Sequence, residues 1–256
     1  MADWNPQLYL QYGKERTQPS RDLVASIQLD NPDSIIDLGC GPGNSTQILR
    51  EHWSHAEIAG LDKSPGMIEK ARKDYPDQKW IVGDVANLEG EQLYDLVFSN
   101  ATLQWLPDHH LLIPKLFRLV KSNGVMATQL PANQNSPLHQ LLIATSRKRK
   151  WSSYTEGIEK LLTYNNARFY YDAFASIAKS VAIWETIYYH IYNSHQDLID
   201  FYKSTGMKPI LERLPDDQAR HEFEKELLGE YQKIYPLQND GNILAPMRRL
   251  FIVAVK

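Results

Sequence analysis

At 256 residues the chain is long enough to bury about 70–75% of the surface its unfolded form exposes, so a core needs no staples. Lys and Arg number 28 against 31 Asp and Glu, a net charge of −3, which leaves no overall basic footprint for nucleic acid. The one cysteine, Cys40, excludes an internal disulfide framework and a cysteine-based zinc cluster, and no apolar run approaches the ~20 residues that span a bilayer. The opening MADWNPQLYLQYGKER has no apolar leader core, so a cytoplasmic location without a membrane partner is expected.

In chain order, SIIDLG (Ser34 to Gly39) is an apolar, β-branched strand that stops at a Gly/Pro cluster. Asn44 to Trp53 has helical period, with Asn44 or Ser45 as its cap. EIAGLD (Glu57 to Asp62) is a second strand, and a helix from Ser64 to Asp74 follows with Pro65 in its first turn. KWIVGD (Lys79 to Asp84) and YDLVFSN (Tyr94 to Asn100) are two more strands. His109 to Val120 is helical, Gly124 ends that element, and VMATQL (Val125 to Leu130) is a fifth strand. Strands separated by helices imply βαβ crossovers, hence an α/β fold with a mostly parallel sheet.

The second half differs. Residues 133–180 are polar, aromatic and read as helical, and AIWETIYYHIY (Ala182 to Tyr192) is strand-like. Residues 195–235 are helical with breaks at Gly206 and Pro209, QNDGN (Gln238 to Asn242) is a turn, and RRLFIVAVK (Arg248 to Lys256) is a terminal strand. The simplest arrangement puts both late strands on the edge of the same sheet as an antiparallel pair. The intervening helices then form a cap over its carboxyl edge, where open α/β sheets bind ligands.

The strongest local signal is Asp37-Leu38-Gly39-Cys40-Gly41-Pro42-Gly43-Asn44, between the first strand and the first helix. Glycines there let the backbone turn sharply and approach a ligand without Cβ clashes. A dinucleotide fingerprint starting at Gly39 needs its third glycine where Asn44 stands, and a phosphate loop needs a lysine that is missing. An acid precedes the glycines instead. Asp37 sits where a cationic group can be held. Asp62 lies 19 residues past Gly43, close to the ~20 at which an acid accepts ribose hydroxyls. Asp84, at the third strand's end, is suitably placed to accept from an adenine amino group. Three acids on successive strand ends make a negative crevice that suits a sulfonium or ammonium better than a pyrophosphate.

These residues resemble the class I S-adenosylmethionine-dependent methyltransferases, over residues 34–131. The resemblance implies a Rossmann-like methyltransferase sheet, mostly parallel with the last strand antiparallel, and a helical cap. It implies S-adenosylmethionine as cofactor, with S-adenosylhomocysteine as its product and no metal. By resemblance Asp37, Gly39, Gly41 and Gly43 cradle the methionine end, Asp62 holds the ribose, Asp84 meets the adenine, and Asn100 contacts the methionine moiety. One domain over 1–256 is expected: a helical lid at 1–30, a core at 31–132, cap insertions at 133–181 and 194–246, and late edge strands at 182–193 and 247–256.

Further stretches are similar to those members of the family that methylate a carboxylate of a small tricarboxylic acid. They are DWNPQLYL (Asp3 to Leu10), LGCGPGNST (Leu38 to Thr46), LQWLPDH (Leu103 to His109), TIYYHIYNSHQ (Thr186 to Gln196), YPLQNDGNIL (Tyr235 to Leu244) and RRLFIVAV (Arg248 to Val255). A small polycarboxylate is therefore the expected acceptor. A carboxylate is already ionised near neutral pH, so no general base is assigned. The site must instead place an oxygen about 3 Å from the methyl group and bind the remaining carboxylates through Arg forks and hydroxyl or imidazole donors. Candidates are Tyr9, Tyr12 and Arg16, then Gln104 and Trp105 after the fourth strand, then Tyr171, Tyr189 and His190, and Arg249. Tyr170, Tyr188 and Arg248 are their neighbours in the same stretches. Alternation along a strand turns one ring of the Tyr188–Tyr189 pair inward and the other out.

The run Arg147-Lys148-Arg149-Lys150 reads as a solvated helix face, His52 and His55 lack a third metal ligand, and His109-His110 reads as local hydrogen bonding at a helix start. Cys40 reads as a small residue between glycines. A monomer or a homodimer is compatible with all of this. So are two other activities: methylation of a hydrophobic acid, amine or phenol, and cofactor binding in a regulatory protein without turnover.

Overall fold

The structure, a computed structural model, describes residues 13–88, 92–160 and 162–256, with side chains from Thr17 onward. Strands β1 (Ser34–Leu38), β2 (Glu57–Asp62), β3 (Lys79–Val82), β4 (Tyr94–Asn100), β5 (Val120–Pro131), β6 (Ser180–Tyr192) and β7 (Ile243–Val255) lie in one sheet. Its order is β3-β2-β1-β4-β5-β7-β6. The pairs β1–β2, β1–β4, β2–β3 and β4–β5 are parallel, while β7 runs antiparallel to β5. Adjacent residues of a strand face opposite sides, and both Ile35 and Ile36 are buried, so the sheet is covered on both faces at β1, while the edge strand β6 exposes Ile187, Tyr189 and Ile191 on one face. The chain leaves β1 toward β2 and β3, then crosses back to β4 on the other side of β1. This reversal opens a crevice at the carboxyl ends of β1 and β4, the position at which such sheets bind ligands.

Helices α1 (Gly13–Ala25), α2 (Asn44–His52), α3 (Pro65–Asp74), α4 (His109–Arg118), α5 (Pro137–Ser146), α6 (Ala167–Ala175), α7 (His195–Lys203), α8 (Lys208–Leu211) and α9 (Asp217–Ile234) accompany the strands, with short 3₁₀ turns at Val85–Asn87, Leu103–Trp105 and Ile158–Lys160. Local chemistry sets several of their starts. Ser64 accepts the Met67 N–H at 3.2 Å and Pro65 opens α3, where a missing N–H does no harm.

The chain forms two compact units. The larger takes the described residues up to Pro131, then Thr163–Thr186 and Arg249–Lys256. Its core is built on Ile35, Leu38, Leu96, Phe98, Met126 and Phe251. The smaller takes Ala132–Leu162 and Ile187–Arg248 among the described residues. There Trp151 meets Phe223 edge to face at 5.5 Å, and the Tyr231 hydroxyl donates to Leu138 O at 2.8 Å. The basic run is not a bare solvated face: Lys148 and Lys150 pair with Glu226 and Glu222 of α9, at 2.8 and 2.6 Å.

Two boundaries differ from the expectation. The fourth helix ends at Arg118, and β5 begins at Val120 and runs through Gly124. A Cβ on Gly124 would stand 2.8 Å from Asp95 O, so this glycine serves close strand approach rather than a helix end. β7 starts at Ile243, not Arg248, despite Pro246. Its ladder to β5 begins only at Arg249, so the proline removes no bond from that ladder.

Candidate functional site

The site lies within the larger unit, where the tips of β1, β2, β3 and β4 carry Asp37, Asp62, Asp84 and Asn100 in adjacent strands. The turn after β1 is fastened to the end of β2 by three bonds. Gly39 and Cys40 donate their N–H groups to Leu61 O at 2.7 and 3.1 Å, and Gly41 donates its N–H to Asp62 Oδ2 at 3.0 Å. Gly39 and Gly41 hold φ of +73° and +54°, the left-handed region that favours glycine. The two differ in surroundings. A Cβ on Gly39 would lie 2.2 Å from Thr102 Oγ1, whereas one on Gly41 would meet nothing within 4 Å among the described residues. Gly41 therefore borders open space that a ligand can fill. Gly43 faces the Trp80 and Tyr75 rings, where a Cβ would come within 2.7 and 2.9 Å, so its smallness serves packing.

Asp37 is fully buried and receives two hydroxyls on one oxygen, Ser45 Oγ at 2.6 Å and Thr46 Oγ1 at 2.7 Å. Its other oxygen, Oδ1, is sealed from solvent with no partner among the described residues. Burial lifts this carboxyl to about 6, the two hydroxyls oppose the rise, and Asp62 adds to it. Asn100 Oδ1, one strand away, is likewise buried without a partner among the described residues. Two orphaned acceptors on neighbouring strand tips call for a ligand that donates, as an ammonium does. Asp62 also accepts the Ser64 N–H at 2.8 Å, and Asp84 caps the turn Val85–Asn87 through the Ala86 N–H at 2.9 Å. Cys40 is buried beside Asp37 and Asp62. Burial first, then these two charges, push its thiol well up, so it is no thiolate nucleophile.

Beyond β4 comes a short 3₁₀ turn, Leu103–Trp105. Gln104 is buried and donates Nε2–H to Ala101 O at 2.7 Å, while its Oε1 is a further orphaned acceptor among the described residues. Trp105 is half-buried. Arg249 is half-buried opposite Pro131 in the β5–β7 ladder. Its charge acts on Tyr164, a phenol that burial drives upward and Arg249 draws down.

The other expected residues are distributed as follows. Tyr9, Tyr12 and the Arg16 side chain lie outside the described residues. Tyr171 is 55% exposed on α6, whereas its neighbour Tyr170 is buried and bonded to His109 at 2.7 Å. Tyr189 is 60% exposed and Tyr188 half-buried, so the alternation of β6 turns Tyr188 inward. His190 is buried in the smaller unit, 3.1 Å from the Tyr192 hydroxyl. Arg248 is exposed.

Several working residues escape a reading of the sequence. Ser45 and Thr46 had a signal, two hydroxyls one turn past the glycines and beside an acid. Thr102, which donates Oγ1–H to Gly39 O at 3.1 Å, and Tyr164 had none, because their partners are 63 and 85 positions away. Among the described residues no group of three His, Cys, Asp or Glu side chains is placed to hold a metal ion, and no helix is long and apolar enough to cross a membrane.

Comparison with known proteins gives the family and the fold. Residues 29–196 match the family model of a methyltransferase domain. The trans-aconitate 2-methyltransferase of Enterobacter sp. (strain 638) is 43% identical over 256 residues, 99% of this chain and 98% of that protein. That of Escherichia coli O7:K1 (strain IAI39 / ExPEC) is 42% identical over 259 residues with the same coverage. Among solved structures, a putative methyltransferase from Bacillus halodurans C-125 superposes with a TM-score of 0.57 at 10% identity, over 93% of this chain and 98% of that one. The YcgJ protein of Bacillus subtilis reaches 0.60 at 12% identity over the same shares, a likeness of fold. The chain belongs to the class I S-adenosylmethionine-dependent methyltransferases, in the family that holds the trans-aconitate 2-methyltransferases.

Proposed function

We propose that this protein transfers a methyl group from S-adenosylmethionine to one carboxylate of trans-aconitate. The single observation that carries the acceptor is identity above 40% across nearly the whole chain to relatives named for that reaction. The single observation that carries the donor is the pair of orphaned acceptors, Asp37 Oδ1 and Asn100 Oδ1, beside the open face of Gly41.

When bound, S-adenosylmethionine supplies an electrophilic methyl group on a sulfonium, and its transfer to a carboxylate gives a methyl ester and S-adenosylhomocysteine. Asp37 and Asn100 accept from the ammonium of the methionine end. Asp62 keeps the glycine turn in place and faces the ribose, and Asp84 meets the adenine. Gln104 and Trp105, one turn past β4, border the acceptor and exclude water from it. Arg249, held beside Tyr164, pairs with an acceptor carboxylate, for which a guanidinium fork is well shaped. The acceptor carboxylate is ionised at neutral pH, so the protein's task is positioning and no side chain takes a proton.

The reading is tested by competition in one vessel. Equimolar trans-aconitate, a hydrophobic monocarboxylate, an amine and a phenol are offered together with methyl-labelled donor. Label is expected on the tricarboxylate as its monomethyl ester. Label on the amine or the phenol overturns the assignment.

A further inference from the structure

The segment between β4 and α4 is not held by its own preferences. Ala101 at its start and Asp108 at its end have φ of +53° and +52°, a region that non-glycine residues occupy at a cost. Between them the 3₁₀ turn closes two backbone bonds, Trp105 N–H to Thr102 O at 3.0 Å and Leu106 N–H to Leu103 O at 2.9 Å, and Gln104 Nε2–H adds a side-chain bond to Ala101 O at 2.7 Å. Strain of this kind persists where surrounding structure over-determines the backbone.

Ala101 N–H bonds to Gln129 O at 2.9 Å and Thr102 Oγ1–H to Gly39 O at 3.1 Å at the start of the segment, and four further donors hold the rest, three of them aimed at the turn's carbonyls. Thr163 spends both its donors there: its N–H reaches Gln104 O and its hydroxyl reaches Leu106 O, each at 2.7 Å. His109 donates Nε2–H to Leu103 O at 2.8 Å. With Nε2 carrying the proton, Nδ1 must accept, and the Tyr170 hydroxyl donates to it at 2.7 Å. Leu103, His109 and Tyr170 are all buried, so these bonds are shielded from water. Thr163 and Tyr170 stand 57 to 61 positions along the chain from their partners, the first ahead of α6 and the second within it.

We propose that Thr163, His109 and Tyr170 are positioning residues that fix Gln104 and Trp105 against the acceptor, and so govern which acceptor is methylated; this rests on the methyl-transfer reading above. None of the three touches the methyl donor's holders Asp37, Asp62 or Asp84 in any described hydrogen bond. Their loss therefore acts on the acceptor side. In-line transfer tolerates little displacement, about 1 Å being enough to cost roughly a hundredfold.

The test compares the parent with Tyr170→Phe, Thr163→Val and Thr163→Ser. Three quantities are read: affinity for S-adenosylhomocysteine, kcat and KM for trans-aconitate, and hydrogen exchange at the Trp105 and Leu106 amides. Tyr170→Phe and Thr163→Val are expected to lower kcat at least tenfold, with cofactor affinity within twofold of the parent. Exchange at the two amides rises at least tenfold. Thr163→Ser, which keeps the hydroxyl, returns kcat to within threefold. Unchanged exchange in the first two variants overturns the proposal whatever the acceptor. So does a parallel fall of cofactor affinity and kcat, which a general loss of structure produces. If the parent esterifies no polycarboxylate while exchange rises as described, the acceptor assignment fails and the clamp on the turn is upheld.

Discussion

Gly41 N–H and Asp62 Oδ2 are 3.0 Å apart, so the acid at the tip of β2 fastens the glycine turn at the tip of β1. Its second oxygen receives the Ser64 N–H at 2.8 Å. Asp62→Ala removes both acceptors at a half-buried position. Unfolding in urea is expected to show a loss of about 1–3 kcal/mol. A loss below a few tenths would mean that the turn is held without this carboxylate.

Asp37 gives the site a dependence on pH. Its carboxyl stands at about 6 in the folded chain against the usual 3.8, chiefly through burial. A group raised in this way adds stability below 3.8 and loses that contribution as pH rises through about 6, up to ~3 kcal/mol for one such carboxyl. Ammonium binding needs the ionised form, so cofactor affinity is expected to rise about tenfold between pH 5 and pH 7. In Asp37→Asn that rise should vanish, and the stability of the free protein at pH 8 should equal or exceed the parent's. Calorimetry and thermal unfolding at the three pH values check both statements.

Gly39 and Gly41 separate folding from binding. Gly39→Ala brings a methyl group against Thr102 in addition to its positive φ, and is expected to cost at least about 2–4 kcal/mol. Gly41→Ala meets no atom of the described residues within 4 Å and should cost only about 1 kcal/mol, yet lower cofactor affinity at least tenfold. Equal stability losses in the two variants would contradict this division.

His109 opposes Asp37 in its response to pH. Burial holds its imidazole below the usual 6.5, partly offset by the backbone carbonyls of Leu103 and Leu106. A lowered imidazole contributes stability above 6.5 and loses it as pH falls below that value. The half-buried His139 responds in the same sense, so the comparison needed is between the parent and His109→Gln. Their difference, about 2–3 kcal/mol at pH 7.5, is expected to narrow at pH 5. A constant gap would show that His109 does not titrate in this range.

The first half of the fold is legible because its strands are continuous apolar runs closed by Asp, Gly or Asn at the point where the ligand crevice opens. The acids Asp37, Asp62 and Asp84 follow from that punctuation. Gly124 misleads because a glycine that permits two strands to approach looks the same in a sequence as one that ends a helix. The start of β7 is hidden because the sequence does not say that Pro246 lies ahead of the stretch that pairs with β5. The acceptor side is harder still. Thr163, Tyr164 and Tyr170 act on residues that the chain reaches only after the fold has formed, and no local period marks them. Tyr170 and Tyr171 differ by one position, and only the turn of α6 decides that the first is buried and the second exposed.

The central claim, that acids on successive strand tips beside an open glycine hold the methyl donor, is tested most directly by calorimetric titration with S-adenosylhomocysteine. The parent is expected to bind one molecule per chain, and Asp37→Asn and Asp62→Ala to bind at least tenfold more weakly while remaining folded. No heat from the folded parent, or equal affinity in all three proteins, would contradict it.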